Sequence, residues 1–113
     1  MDGNLWAGPN LVPGDPNPEN NNGKMFKAFL SKFPHLTVIN SMDVCEGIIT
    51  RQRITKTKNE QSVLDFFIMC DKMTGYIRKM TVDENKKFPL TNFTRIKGKT
   101  IAKDSDHNPL FVE

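Results

Sequence analysis

Val63-Leu64-Asp65-Phe66-Phe67-Ile68-Met69-Cys70 is the stretch on which the reading of the fold turns. Apart from Asp65 it is apolar throughout, with no alternation of polar and apolar positions. A run of that length and kind predicts a β-strand covered on both faces. Asp65 does not fit such a strand unless something compensates it, because a buried carboxylate loses its hydration. It either caps the strand end or pairs with a neighbouring Arg, or it belongs to a functional site whose partner lies elsewhere in the chain.

Upstream of this run, residues 5–22 read as a loop. Pro9, Pro13, Pro16 and Pro18 stand there among Gly8, Gly14 and several Asn residues, and neither helical nor strand periodicity survives. Residues 24–33 read as an amphipathic helix, with Met25, Phe26, Phe29, Leu30 and Phe33 on one stripe and Pro34 as its stop. The remainder, residues 36–113, reads as strands and loops. Strands are expected at 36–40, 47–54, 63–70 and 76–82, with a last short one at 110–112. A turn is expected at 71–75, and residues 88–103 read as a basic, loop-rich stretch. The strand at 47–54 runs into a cluster of cations, Arg51, Arg53, Lys56 and Lys58.

The chain has 113 residues, room for one small domain. Its 37% hydrophobic and 26% charged residues, with eight Phe, suit a globular core rather than disorder. A formal charge of +3 is compatible with a phosphate-bearing partner. Cys45 and Cys70 give no disulfide framework, and Cys70 reads as a small hydrophobe. With no apolar stretch of membrane-spanning length and no secretory leader, a soluble intracellular protein, cytoplasmic or nuclear, is expected, with no membrane partner.

Two further clusters carry chemistry. Asp106-His107 sits in Ser105-Asp106-His107-Asn108-Pro109, just before the last strand, where side chains emerge at a sheet edge. An isolated Asp-His pair is most often an ordinary surface dipeptide; its place before an apolar strand raises its specificity. Asp2 and Asn4 stand two apart at the start of the chain. An Asp can move a proton and an Asn can donate to a phosphate oxygen, although by spacing alone an Asx-rich turn is the better account.

Taken in order, Met1-Asp2-Gly3-Asn4, Val63-Leu64-Asp65-Phe66-Phe67 and Ser105-Asp106-His107 resemble the endonuclease/exonuclease/phosphatase family. Asn22-Gly23-Lys24 with its helix, Leu36 to Ser41, and Gly47-Ile48-Ile49-Thr50-Arg51 also look like that family. The last is nearest to the endonuclease domains of non-LTR retrotransposons. A second Asp-x-Asn, in Gly14-Asp15-Pro16-Asn17, fits less well. Its prolines interrupt the strand that should precede it, and it lies too near Asn22-Gly23.

The resemblance implies an α/β fold, the C-terminal half of a four-layer sandwich of mostly antiparallel sheets with a covering helix. It implies metal-assisted phosphodiester hydrolysis on DNA. Asp2 would orient water or protonate the leaving oxygen, Asn4 would hold a phosphate oxygen, Asp65 would fix and polarise His107, and Asp106 would help bind Mg²⁺. The family's early Asn and its Glu metal ligand have no counterpart upstream of Met1, which implies weak Mg²⁺ binding. It also implies either self-association through an uncovered sheet face or a missing N-terminal half. The competing expectation is an inactive remnant serving as a basic nucleic-acid-binding or interaction module through Arg51, Arg53, Lys56 and Lys58. A phosphoinositide or sphingolipid substrate within the same family is a third.

Overall fold

The structure is a computed structural model that describes residues 4–113. Residues 4–20 contain no regular element. Helix α1 (Asn21–Lys32) starts where the Asn20 side chain caps it by accepting from Gly23 N at 2.9 Å. The same side chain accepts from Trp6 N and donates to Asn4 O, so one residue begins the helix and pins the loop beside it. Gly23 is required there: a Cβ would come within 1.9 Å of Trp6 O, backbone that has no room to yield. Gly23→Ala is expected to cost about 2 kcal/mol or more, read as a lower urea midpoint.

The helix begins three residues earlier than the sequence predicts, because Asn20 rather than Asn22-Gly23 is the cap. Its apolar stripe is only partly covered. Phe26 packs on Phe66 with ring centroids 5.1 Å apart, whereas Met25, Phe29 and Phe33 stay exposed.

The strands are short. β1 (Leu36–Val38) pairs antiparallel with β5 (Ile68–Cys70). β2 (Cys45–Glu46) runs parallel to β6 (Met80–Val82), and β6 pairs antiparallel with β9 (Leu110–Val112). β3 (Arg51–Ile54) and β4 (Asn59–Ser62) form one hairpin; β7 (Thr91–Ile96) and β8 (Lys99–Asp104) form another. A short helix α2 (Asp71–Thr74) follows β5. The fold is therefore mixed α/β, with mostly antiparallel strands and few helices, as the sequence predicts at that level. Its apolar core gathers Ile39, Ile77, Met80 and Val82, with Phe67, Met69, Leu110 and Val112 against them.

Three expectations are corrected. The run 63–70 is not one continuous strand: only Ile68–Cys70 pairs, and residues 63–67 follow an irregular path. Their backbone bonds go mainly to side chains. Thr50 Oγ1 accepts from Leu64 N and Asp65 N, while Asn40 donates to Asp65 O and accepts from Phe67 N. Two buried polar residues do the work of a neighbouring strand. Asp65 is consequently half-exposed, not sealed in a core.

Residues 88–103, expected to be loop-rich, mostly form the β7–β8 hairpin. Lys97 and Gly98 both have positive φ, the geometry of a two-residue turn whose twist matches its strands. The predicted strands 36–40, 47–54 and 76–82 are each reduced. Ile39–Ser41 turns into a 3₁₀ segment, 47–50 is irregular, and pairing after Tyr76 starts only at Met80.

The loop carries one titratable anomaly. Asp15 is buried, and its Oδ1 accepts from Asn17 N in an Asx turn. Burial raises its pKa above the usual carboxylate value, against the lowering effect of its backbone hydrogen bonds. The native state then holds this proton more tightly than the unfolded chain does. Its contribution to stability is gained as pH falls from above the raised pKa towards the ordinary value, and is lost as pH rises through the raised one. Asp15→Asn is expected to gain on the parent chain at neutral pH, with the gap closing in acid. Urea midpoints of both proteins across that range test it.

Candidate active site

The segment Asp106–Asn108 is added to the edge of β3 before β9 begins. Gln52 N donates to Asp106 O at 2.9 Å and Asn108 N donates to Thr50 O at 2.6 Å, on either side of the Arg51–His107 bridge. Asn108, buried, adds a bond from Nδ2 to Ile49 O at 2.7 Å. This clamp fixes where His107 leaves the backbone, and His107 N donates to Ser105 Oγ as well.

Asp65 approaches from the irregular segment that Thr50 and Asn40 hold. Its Oδ2 lies 2.7 Å from His107 Nδ1, across a sequence separation of 42 residues. Both side chains are about two-fifths exposed, so the pair is open to a ligand from solvent. Thr50 is central to both sides of the pair. It is fully buried; its hydroxyl accepts from the Asp65 amide, and its carbonyl accepts from Asn108 N.

Asp106 makes a second ionic contact. Its Oδ2 is 3.0 Å from both Nε and Nη2 of Arg51, while Arg51 Nη1 reaches Glu60 Oε2 at 4.0 Å. Arg51 thus differs from the other three cations expected to meet nucleic acid. Its side chain is 18% exposed and engaged with acids, whereas Arg53, Lys56 and Lys58 are exposed and make no ion pair among the described residues. Lys56 and Lys58 sit at the turn of the β3–β4 hairpin, closed by Thr55 N donating to Lys58 O at 2.7 Å.

Asn4 lies with Trp6, Asn17, Arg51 and Glu60 around a cavity of about 470 Å³. Its carbonyl accepts from Asn20 and Asn22. Asp2 lies outside the described residues. Of the expected site residues, then, Asp65 meets His107 directly, Asp106 meets Arg51 directly, and Asn4 shares a cavity with Arg51. Asn17, from the rejected Asp-x-Asn, borders that cavity too, through a bond from its Nδ2 to Gln61 O.

The metal that the sequence resemblance implies is Mg²⁺. Asp106 Oδ2 is occupied by the guanidinium, and Oδ1 has no hydrogen-bond partner among the described residues. No group of three or more His, Cys, Asp or Glu side chains suited to a metal gathers among the described residues. Mg²⁺ takes one or two carboxylates and keeps several waters. Asp106 Oδ1 would be the one carboxylate oxygen left to hold such an ion.

Sequence reasoning assigns no role to Thr50, Asn40 or Asn108, the residues that position the pair. The available signal was a polar residue set directly beside apolar ones, in Ile48-Ile49-Thr50 and Val38-Ile39-Asn40. No helix among the described residues is long and apolar enough to cross a membrane. No family model matches the chain, and no curated protein or solved structure matches it.

Proposed function

We propose that this chain carries the Asp–His part of a metal-assisted phosphodiesterase site of the endonuclease/exonuclease/phosphatase kind, acting on DNA. The observation that supports this reading most is the 2.7 Å contact between Asp65 Oδ2 and His107 Nδ1. A carboxylate on Nδ1 favours the tautomer with the proton there and leaves Nε2 for chemistry. Nε2 accepts a proton from water or, when protonated, donates to a phosphate oxygen.

Hydrolysis forms a bond from the water oxygen to phosphorus and breaks the bond to the leaving oxygen. The water proton must be taken up and the leaving oxygen must receive one. His107 Nε2 takes up the water proton, and Asp2, by the family resemblance, gives one to the leaving oxygen. Asn4 holds a phosphate oxygen. Asp106 would hold a Mg²⁺ ion, which when bound would stabilise the charge that builds on the phosphate. Arg51 orients the Asp106 carboxylate through a hydrogen bond from Nε and an ionic contact from Nη2, both 3.0 Å from Oδ2.

Nicking of supercoiled plasmid DNA with Mg²⁺ and with EDTA tests the proposal. Metal-dependent nicking by the parent chain that an Asp106→Ala, His107→Ala double variant lacks supports it. A folded chain that never nicks overturns it as an account of this chain's own activity.

A second reading, binding without hydrolysis, has its own support in Arg53, Lys56 and Lys58, exposed and without an ion pair among the described residues. Steeply salt-dependent DNA binding, lowered by Lys56→Ala and Lys58→Ala and indifferent to Asp65→Asn, would favour that reading.

A further inference from the structure

The β7–β8 hairpin is the part of the molecule the proposed site leaves unexplained. All six residues of each strand are exposed, so neither face is covered by the rest of the described chain. A two-stranded hairpin alone in water is marginally stable. This one also shows Phe93, Ile96 and Ile101 to solvent at 72%, 50% and 47% exposure.

The register sorts its side chains into two faces. Asn92, Thr94 and Ile96 lie opposite Lys103, Ile101 and Lys99, and these six share one face. That face carries two lysines, an amide, a hydroxyl and two isoleucines, and no acid. Neither lysine makes an ion pair among the described residues. The base of the same face, at Asn92 and Lys103, lines a cleft of about 750 Å³ whose opposite wall is Gln52 and Arg53 of β3. Asp106, next in sequence to His107, lines the cleft as well. Three acids line the cleft, and Asp104, on the other face of the hairpin, accepts among the described residues only from Thr91 Oγ1 at 3.4 Å. Glu84 accepts from Ile48 N and Ile49 N, and Asp106 pairs with Arg51.

We propose that the β7–β8 hairpin is a DNA-binding arm whose Asn92–Lys103 face lies in the major groove of duplex DNA beside the scissile phosphate. This rests on the phosphodiesterase reading for the place of the phosphate, and on the hairpin alone for the binding. The major groove admits a two-stranded β-ribbon, and at about 3.3 Å per residue the six-residue strands are about 20 Å long. Lys99 and Lys103 meet phosphates. Asn92 and Thr94 present donors and acceptors to base edges, and Ile96 and Ile101 suit thymine methyl groups. The A-form major groove of duplex RNA is too narrow for such a ribbon.

The test uses the full chain with Lys99→Ala, Lys103→Ala, an Ile101→Ser variant and Asp65→Asn. Two readouts are taken: binding to fluorescent mixed-sequence DNA and RNA duplexes over a salt series, and hydrolysis of bis(p-nitrophenyl) phosphate, too small to reach the arm. Each lost phosphate contact lowers the salt slope by about 0.9, so the double lysine variant should bind tens of times more weakly near 0.1 M salt (~0.9 decade per contact). Its hydrolysis of the small ester should match the parent chain, and Asp65→Asn should bind the duplex normally.

Unchanged duplex affinity and slope in the double lysine variant would overturn the arm, as would equal affinity for duplex RNA. Unchanged DNA preference in Ile101→Ser would overturn its major-groove placement. If no variant, nor the parent, hydrolyses the ester while the lysine variant still loses DNA affinity, the arm stands and the phosphodiesterase reading falls.

Discussion

Asp65→Asn is expected to lower Mg²⁺-dependent nicking by about two to four orders of magnitude while leaving the fold and DNA affinity intact. Asn is nearly isosteric and keeps the backbone bonds to Thr50 and Asn40, since those use the Asp65 amide and carbonyl rather than its carboxylate. What changes is the atom facing His107 Nδ1. An amide there can present NH₂, which favours the tautomer with the proton on Nε2 and so withdraws the free ring nitrogen from the substrate side. Initial nicking rates, with a thermal melt and duplex affinity measured beside them, check the result. A rate within a few-fold of the parent chain would mean that the pair is structural and that His107 does not act through it. His107→Ala gives the companion measurement, since it should match Asp65→Asn if the two act as a unit.

Thr50→Val should give the largest loss of stability among substitutions around the site, about 2–4 kcal/mol. Valine keeps the shape but removes the oxygen that accepts from both Leu64 N and Asp65 N, at 2.8 and 3.0 Å. Each amide then loses its acceptor beside a side chain that had been fully buried. Such a group costs more left unmet than its bond contributes when made, which is why a same-size change has so large an effect. Urea unfolding gives the stability. Nicking by the folded fraction at low temperature gives a second readout, because the released 63–67 segment no longer places Asp65 against His107. Thr50→Ser, which keeps the oxygen, should recover most of both. A Thr50→Val protein as stable as its parent would show that water replaces the hydroxyl at no cost.

The order of the two effects follows from where each residue acts. Asp65 meets its partner with a half-exposed side chain, so its loss is felt in chemistry. Thr50 meets backbone inside the protein, so its loss is felt first in folding.

Much of the site was legible in the residues themselves. Asp65 stood out as the one polar residue in an apolar octet, and the need for a compensating partner was a matter of desolvation alone. The resemblance supplied His107 as that partner, and the side chains do meet. The error lay in the reason. Asp65 is not submerged in a strand, because the segment around it has side chains for hydrogen-bond partners and leaves its carboxylate half in water. Apolar content reports that a segment is wanted inside; it does not report whether strand neighbours or side chains satisfy its amides.

The β7–β8 hairpin shows the opposite failure. Its strands, Thr91 to Ile96 and Lys99 to Asp104 about Lys97-Gly98, carry no period-two alternation: Phe93 and Ile96 stand three apart, and Ile101 adjoins Ala102. A hairpin that covers no core has no reason to be apolar on one face, so the usual signal is weak where the strands are most regular.

By itself, the sequence determined the local events that depend on neighbours a few residues apart. The proline-rich loop, the helix stopped at Pro34 and the final strand after Pro109 are of this kind, since backbone restriction and short-range periodicity act without the rest of the chain. Tertiary structure alone decided that Arg51 faces Asp106 and not solvent, that Thr50 and Asn40 stand in for a strand, and that a cleft opens between two hairpins. Each of these joins residues at least 14 positions apart, and which side chain fills a distant backbone's unmet hydrogen bond is fixed only when the two are packed together.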